Sequence, residues 1–271
     1  MESGEVFTTQ SEEELYGRLG YQYIPAELRE NAGELEAARK GELPELAEPS
    51  QLRGDLHTHT HWSADGKNTL TEMVEAAKAK GYAYYAITDH SHYLREGRME
   101  QQAKEIDKVA KRVAPLKLLK GVEANIRADG TLDVPDEVLA ERDWVVASIH
   151  TAFDRSPTER ILATMENPNV HVIGHLTGRK LSRREPMDID FARVVEKALE
   201  TGTFLEINSQ PDRLDLRDVQ ARVAGEAGVP VVVSSDAHEV PALDYVQFGV
   251  AQARRAWLTK DQIANTRTWA Q

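Results

Sequence analysis

Histidines and carboxylates stand at the ends of apolar runs, where a buried strand gains nothing from them in packing. RGDLHTH ends in His57-Thr58-His59, YAYYAITDH in Asp89-His90, DWVVASIH in His150, VHVIGH in His175 and VPVVVSSDAH in Asp236-Ala237-His238. LKLLKGVEANI carries Glu123 directly after Gly121-Val122. Two histidines at i, i+2 share one face of a strand and can grip one ion, and Asp236 and His238 have the same spacing. Asp65 follows the first run in HWSADGK, where Gly66 permits a turn back toward the strand ends.

His57, His59, Asp65, His90, Glu123, His150, His175, Asp236 and His238 are nitrogen and oxygen ligands, too many for one ion and enough for two or three, with a carboxylate such as Glu123 bridging. There is no cysteine, so the set suits Zn²⁺, Mn²⁺ or Fe²⁺. Ions gathered this way clamp a phosphate, lower the pKa of a bound water and stabilise a leaving oxygen. Metal-assisted phosphoester hydrolysis is the reaction class expected. His61, His92 and His171 fall outside the pattern and read as structural or exposed.

The elements that must position these groups are legible from Leu52 onward. Seven apolar runs (the six above and TFLEINS) alternate with amphipathic segments. Thr69 and Glu72 form a capping box, Leu70, Met73, Val74 and Ala77 line one face, and Gly81 closes that helix. Ser156, Pro157 and Glu159 open another as N-cap, N1 and N3. Phe191, Val194, Val195, Ala198 and Leu199 stripe a third, which ends at Gly202. Near-continuously apolar strands alternating with helices predict a parallel sheet buried on both faces. Seven units predict an α/β fold, a distorted (β/α)7 barrel whose C-terminal strand ends converge on one mouth.

Residues 1–50 differ. They hold twelve acids and four bases, so most of the chain's net charge of −12 lies there. SEEELYGRLG predicts a short helix with Ser11 as N-cap and Gly20 as stop. The rest reads as extended chain broken by Pro25, Pro44 and Pro49, with a weak helix around Glu34–Lys40. We therefore divide the chain into an N-terminal extension (1–50) and a phosphoesterase domain (51–271). The composition, 41% hydrophobic and 29% charged over 271 residues, fits a globular protein with a sizeable core. The absence of cysteine excludes a disulfide scaffold. No apolar run approaches a membrane span, and the acidic MESGEVFTTQSEEEL is unlike a signal peptide, so the expectation is a cytoplasmic protein with no membrane partner. A broadly basic nucleic-acid surface is missing, and phosphate binding must be local.

Taken together these motifs resemble the polymerase and histidinol phosphatase (PHP) superfamily, from Leu52 to about Trp257. The resemblance implies a trinuclear centre of Mn or Zn, or Fe. By it, His57, His59, Glu123 and Asp236 hold a first ion. Glu123 bridges to a second held by His150 and His175, and Asp65, His90 and His238 hold the third. It also implies that His57, His59, Glu123, Asp236 and His238 act in catalysis with a metal-bound hydroxide.

Within the superfamily, GDLHTHTHWSADGKNTLTEM, ITDHS, GVEANIRADGTLD, GHLTGR, LEINSQPDRLDL and SSDAH are similar to the C-terminal domain of bacterial and archaeal family X DNA polymerases. FTTQSEEELYGRLGYQYIPAELRE resembles the end of the polymerase thumb and its linker. Leu176 departs from the commoner proline after the GH pair. No nucleotidyltransferase core, paired-aspartate palm or helix-hairpin-helix is visible, so polymerase activity is not expected; a polymerase domain missing from this chain is a candidate partner. The implied activity is a Mn²⁺-dependent 3′–5′ exonuclease that processes DNA 3′ ends. The alternative is a phosphomonoesterase of small phosphate esters, such as a histidinol phosphatase, and a third reading is a non-enzymatic module. Arg179, Arg183 and Arg184, in a loop just beyond His175, and Arg213 beside Asp215 are candidate contacts to substrate phosphate.

Overall fold

The computed structural model describes residues 8–269; the first seven residues of the acidic leader lie outside the described residues. In the N-terminal segment, α1 (Glu12–Arg18) and α2 (Glu34–Lys40) are followed by β1 (Gly54–Asp55). Then come α3 (Leu70–Ala79), β2 (Tyr84–Ile87), α4 (Arg98–Val113), β3 (Lys117–Asn125), α5 (Asp136–Leu139) and β4 (Trp144–Ser148). The chain continues through α6 (Pro157–Met165), β5 (Val172–Ile173), α7 (Phe191–Thr201), β6 (Phe204–Asn208), α8 (Asp218–Ala227), β7 (Val231–Ser234) and α9 (Val246–Arg255).

All seven strands are parallel and pair in chain order. The seam is closed just past the ladder: Thr58 bridges Ala237, His59 N–H donates to Ala237 O at 2.8 Å, and Asp236 N–H donates to His57 O at 3.0 Å. The expected seven-stranded α/β barrel is therefore present.

Alternation along the strands sorts two cores. Val145, Ala147, Ile173, Leu205, Ile207, Val231 and Val233 face the helices. Leu56, Tyr84, Ala86, Leu119, Trp144, Val146, Val172 and Val232 fill the barrel floor. Continuing two residues at a time from that floor, the same strand faces present Glu123, Ser148, Gly174, Glu206 and Asp236, so a polar layer lies directly above an apolar one. Gly174 is required there, since a Cβ would stand 2.4 Å from Ser148 Oγ and 2.8 Å from Val146 Cγ1.

Local signals behave largely as the sequence predicts. Thr69 and Glu72 make the capping box of α3, and Ser11 Oγ accepts from Glu14 N–H at the start of α1. Two expectations need correction. Ser156 occupies the N-cap position of α6 in a left-handed conformation (φ +42°) without a side-chain cap, and Glu159 instead pairs with Arg193 on α7 at 2.5 Å. Leu199 is half exposed, so the buried stripe of α7 is Val194, Val195 and Ala198.

The N-terminal segment lies against α9. Ile24, Leu28, Ala38 and Leu46 form a small core with Trp257, and Arg254 pairs with Glu27 (2.7 Å) and Glu48 (2.5 Å). Among the described residues no helix is long and apolar enough to cross a membrane.

Candidate metal centre

The nine residues picked out by type and spacing converge at the C-terminal mouth of the barrel. Glu123, fully buried in β3, stands in the middle. Its Oε1 lies 3.1 Å from His175 Nε2 and 3.2 Å from His150 Nε2; its Oε2 lies 2.7 Å from His90 Nδ1, 3.4 Å from His57 Nε2 and 3.6 Å from His59 Nε2. Asp236 Oδ1 is 3.1 Å from His59 Nε2 and 3.6 Å from His57 Nε2. At the rim, Asp65 Oδ2 is 3.4 Å from both His90 Nε2 and His238 Nε2. Gly66 serves that loop by close approach: a Cβ there would collide with Thr60 O.

Ligand atoms around an ion with bonds near 2.1 Å sit roughly 3–3.5 Å from one another, which is the spacing of this cluster. His57 Nε2, which faces Glu123 Oε2 and Asp236 Oδ1, is buried without a hydrogen-bond partner. Such an orphaned polar atom is costly unless something else satisfies it. The residues therefore fit a group of divalent ions.

The electrostatics point the same way. Burial opposes ionisation of Glu123 and Asp236, yet His150, His90 and His57 around the first, and His57 and His59 beside the second, hold both carboxyls well below their usual range. Burial also disfavours charge on His90, but Glu123 and Asp65 raise it to about 10. Burial pushes His175 down to about 4 and drives His59 well below its usual value.

Several residues behind the cluster were not anticipated from the sequence. Glu206 Oε1 stands 2.7 Å from His57 Nδ1, Asn125 Oδ1 2.6 Å from His150 Nδ1, and Asp236 O 2.8 Å from His238 Nδ1. Fixing the far ring nitrogen in this way is how proteins aim a ligating imidazole. Asp89 ties the loop carrying Asp65 to the end of β2, accepting from Thr60 N (2.7 Å), Ser63 Oγ (2.8 Å) and Gln102 Nε2 (2.7 Å). His61 caps α3 by accepting from Leu70 N at 3.2 Å. His171 accepts from Val145 N at 3.1 Å and stacks on Trp144. His92 is exposed beside His90.

The cluster opens into a cleft of about 390 Å³ lined on its far side by Lys67, Lys180, Gln210 and Arg213. Arg213 Nη1 is buried with no hydrogen-bond partner, and Nε is 3.8 Å from Asp236 Oδ2. The other expected phosphate contacts lie elsewhere. Arg179 donates to the backbone carbonyls of Arg213 and Leu214, and Arg184 donates to Gly178 O at 2.6 Å while stacking over Phe153. Arg183 is exposed and does not line the cleft. The bridge between Lys180 and Arg184 folds this loop so that its own Gly178 carbonyl captures Arg184, while the carbonyls of Arg213 and Leu214 on the loop after β6 capture Arg179. Asp215 is buried and accepts from Thr177 N at 2.9 Å.

Comparison with known proteins agrees with this geometry. The PHP domain family profile matches residues 55–210. The chain is 43% identical over 99% of its length to the DNA polymerase/3′-5′ exonuclease PolX of Bacillus subtilis, and spans about half (48%) of that relative. It is 35% identical over 69% of its length to a probable phosphatase of Caldanaerobacter subterraneus, covering 78% of it. A similar barrel is found in histidinol phosphate phosphatase from Lactococcus lactis, solved with zinc, L-histidinol and phosphate. There the TM-score is 0.53 at 17% identity, over 74% of this chain and 93% of that one. With the barrel, the mouth of histidines and carboxylates and these matches together, the chain belongs to the PHP-domain family of metal-dependent phosphoester hydrolases.

Proposed function

We propose that the protein hydrolyses phosphodiester bonds at DNA 3′ ends, as a 3′–5′ exonuclease or 3′-end processing enzyme. The observation that carries this reading is the extent of similarity to PolX. It runs through 99% of the chain, N-terminal segment included, whereas the probable phosphatase aligns over 69%. In this reading residues 51–271 are the catalytic domain and residues 1–50 its extension.

Three divalent ions of Mn or Zn, or Fe, are assigned to the mouth. His57, His59, Asp236 and Glu123 Oε2 would hold the first, Glu123 Oε1, His150 and His175 the second, and Asp65, His90 and His238 the third. The distances between ligand atoms support each group. When bound, such ions supply Lewis acidity toward phosphate oxygens and activation of water.

The chain's own residues do the rest. Arg213, with an unpartnered buried donor at the cleft, would orient a phosphate oxygen by a charge-assisted hydrogen bond. Lys67 and Lys180 carry positive charge to the same wall, each already balanced by an acid: Glu239 at 3.0 Å and Asp212 at 3.4 Å. Glu123, Asp236 and the six imidazoles hold their places without an incoming substrate, so little reorganisation accompanies binding.

A second reading, phosphatase action on small esters, is favoured by the modest volume of the cleft and the sparse positive charge around it. The test offers the stripped, Mn²⁺-reloaded chain 5′-labelled single-stranded DNA beside a chromogenic phosphate monoester. A ladder shortened from the 3′ end, lost in His57→Ala, supports the nuclease; monoester turnover with intact DNA makes the phosphatase the function.

A further inference from the structure

Glu206 is a buried carboxylate on β6 that belongs to none of the three ligand groups, and both of its oxygens are occupied. Oε1 faces His57 Nδ1 at 2.7 Å. Oε2 accepts from His175 N–H at 2.6 Å and from Asn208 Nδ2 at 3.2 Å. Asn208 Nδ2 also donates to Asp236 Oδ2 at 3.0 Å. His175, whose amide ends on this carboxylate, has a left-handed backbone (φ +27°), which is uncommon for a residue with a side chain.

We propose that Glu206 is a positioning residue that selects the tautomer of His57. An ionised carboxylate only accepts hydrogen bonds, so its contact with Nδ1 requires the proton to be there. Nε2, which faces Glu123 Oε2 and Asp236 Oδ1, is then the nitrogen left for an ion. His57 Nε2 is buried and has no hydrogen-bond partner of its own. The same carboxylate anchors the backbone of His175, a ligand of the neighbouring ion. One side chain thus aims a nitrogen at one site and fixes the backbone that delivers a ligand to the next. The inference rests on the reading of His57 as a metal ligand.

The geometry makes Glu206→Gln informative. A carboxamide has one accepting oxygen and one donating nitrogen. Two donors, His175 N–H and Asn208 Nδ2, meet at the Oε2 position and one at Oε1, so the amide oxygen settles at Oε2 and the NH₂ group turns to His57. Nδ1 must then accept, the proton moves to Nε2, and that nitrogen no longer ligates.

The experiment titrates Zn²⁺ into stripped wild type and Glu206→Gln while following folding by circular dichroism. It also reads the His57 tautomer in ¹⁵N-histidine-labelled protein by the two-bond ¹H–¹⁵N coupling pattern. Expected are a Zn²⁺-loaded wild type with the proton on Nδ1, and a folded variant with the proton on Nε2. The variant's affinity should be ~10–100-fold weaker at one class of site, the usual effect of losing such a partner. A folded variant that binds Zn²⁺ as wild type does, with Nδ1 still protonated, overturns the inference and leaves the metal reading intact. If the variant fails to fold, the wild-type spectrum decides alone: ligation through Nδ1 overturns the inference, and Nδ1–H with ligation through Nε2 supports it. A wild type that binds no Zn²⁺ overturns both.

Discussion

Asn125 holds His150 by the ring nitrogen that faces away from Glu123. Its Oδ1 is 2.6 Å from His150 Nδ1, while its Nδ2 donates to Asp133 Oδ2 at 2.7 Å and Ser91 Oγ at 3.1 Å. The amide cannot turn over without placing donor against donor, so the imidazole orientation is set from Asp133 inward. Asn125→Ala is expected to weaken metal binding at the His150 site ~10-fold or more. The loss of the buried hydrogen bonds should cost about 1–3 kcal/mol. Metal titration and chemical denaturation of the stripped protein measure the two effects separately.

His57→Ala and Asp236→Ala remove proposed ligands on opposite sides of the barrel seam. Each is expected to reduce hydrolysis at least 100-fold while circular dichroism shows an intact barrel. Full turnover by either variant would count against metal-assisted hydrolysis.

Arg213 has a free buried donor at the cleft, whereas Arg184 is spent on Gly178 O and Phe153. Arg213→Ala is expected to raise KM about tenfold or more for any phosphate ester, in line with the loss of one charge-assisted hydrogen bond. Arg183→Ala, changing an exposed side chain outside the cleft, should leave monoester kinetics unchanged. Steady-state kinetics on both substrates test the contrast.

His90 gives the pH dependence. Burial opposes its charge, but Glu123 and Asp65 raise it from its usual 6.5 to about 10. The stabilisation from its pairing is fully present below pH 6.5 and is lost as pH rises through about 10. The stripped protein should therefore lose thermal stability across that window, and His90→Asn should flatten the loss. Because a metal must displace the same proton, metal binding at pH 7 should release protons. Calorimetry in buffers of different ionisation enthalpy would register them.

Arg254 joins α9 to Glu27 and Glu48 of the N-terminal segment. Its guanidinium is largely buried, and it also donates to Ala47 O at 3.0 Å. Arg254→Ala is expected to loosen residues 24–48, so that limited proteolysis cuts there sooner, with a stability loss of about 1–2 kcal/mol.

Much of this was legible because the chemistry interrupts the packing code. A histidine or aspartate after VVAS, HVIG or VVVSS has no reason to be there as core, and such interruptions mark the mouth in the sequence itself. Glu206 and Asn125 escaped because each sits inside a run, as one inward position among apolar neighbours. The signal was an acid followed at i+2 by an amide in LEIN, two polar groups on the same strand face. The arginine loop is illegible for a different reason: composition counts guanidinium groups, but only the folded path, left-handed at Gly178 and Ser182 and packed against Arg213 and Leu214, shows which carbonyls capture Arg184 and Arg179. Strand ends were also overextended. β1 and β5 pair through only two residues each, since the residues that follow are turned into the site.

The seam between Thr58 and Ala237 has a consequence for how the protein is made. A chain emerging from the ribosome exposes His57 and His59 long before Asp236 exists, and the strand that will face them is the last of the barrel. Contacts spanning so much sequence form late. An ion held as proposed by His57, His59 and Asp236 would therefore find its full ligand set only once β7 has closed the ring. Such an ion, held from both sides of the seam, would resist its reopening.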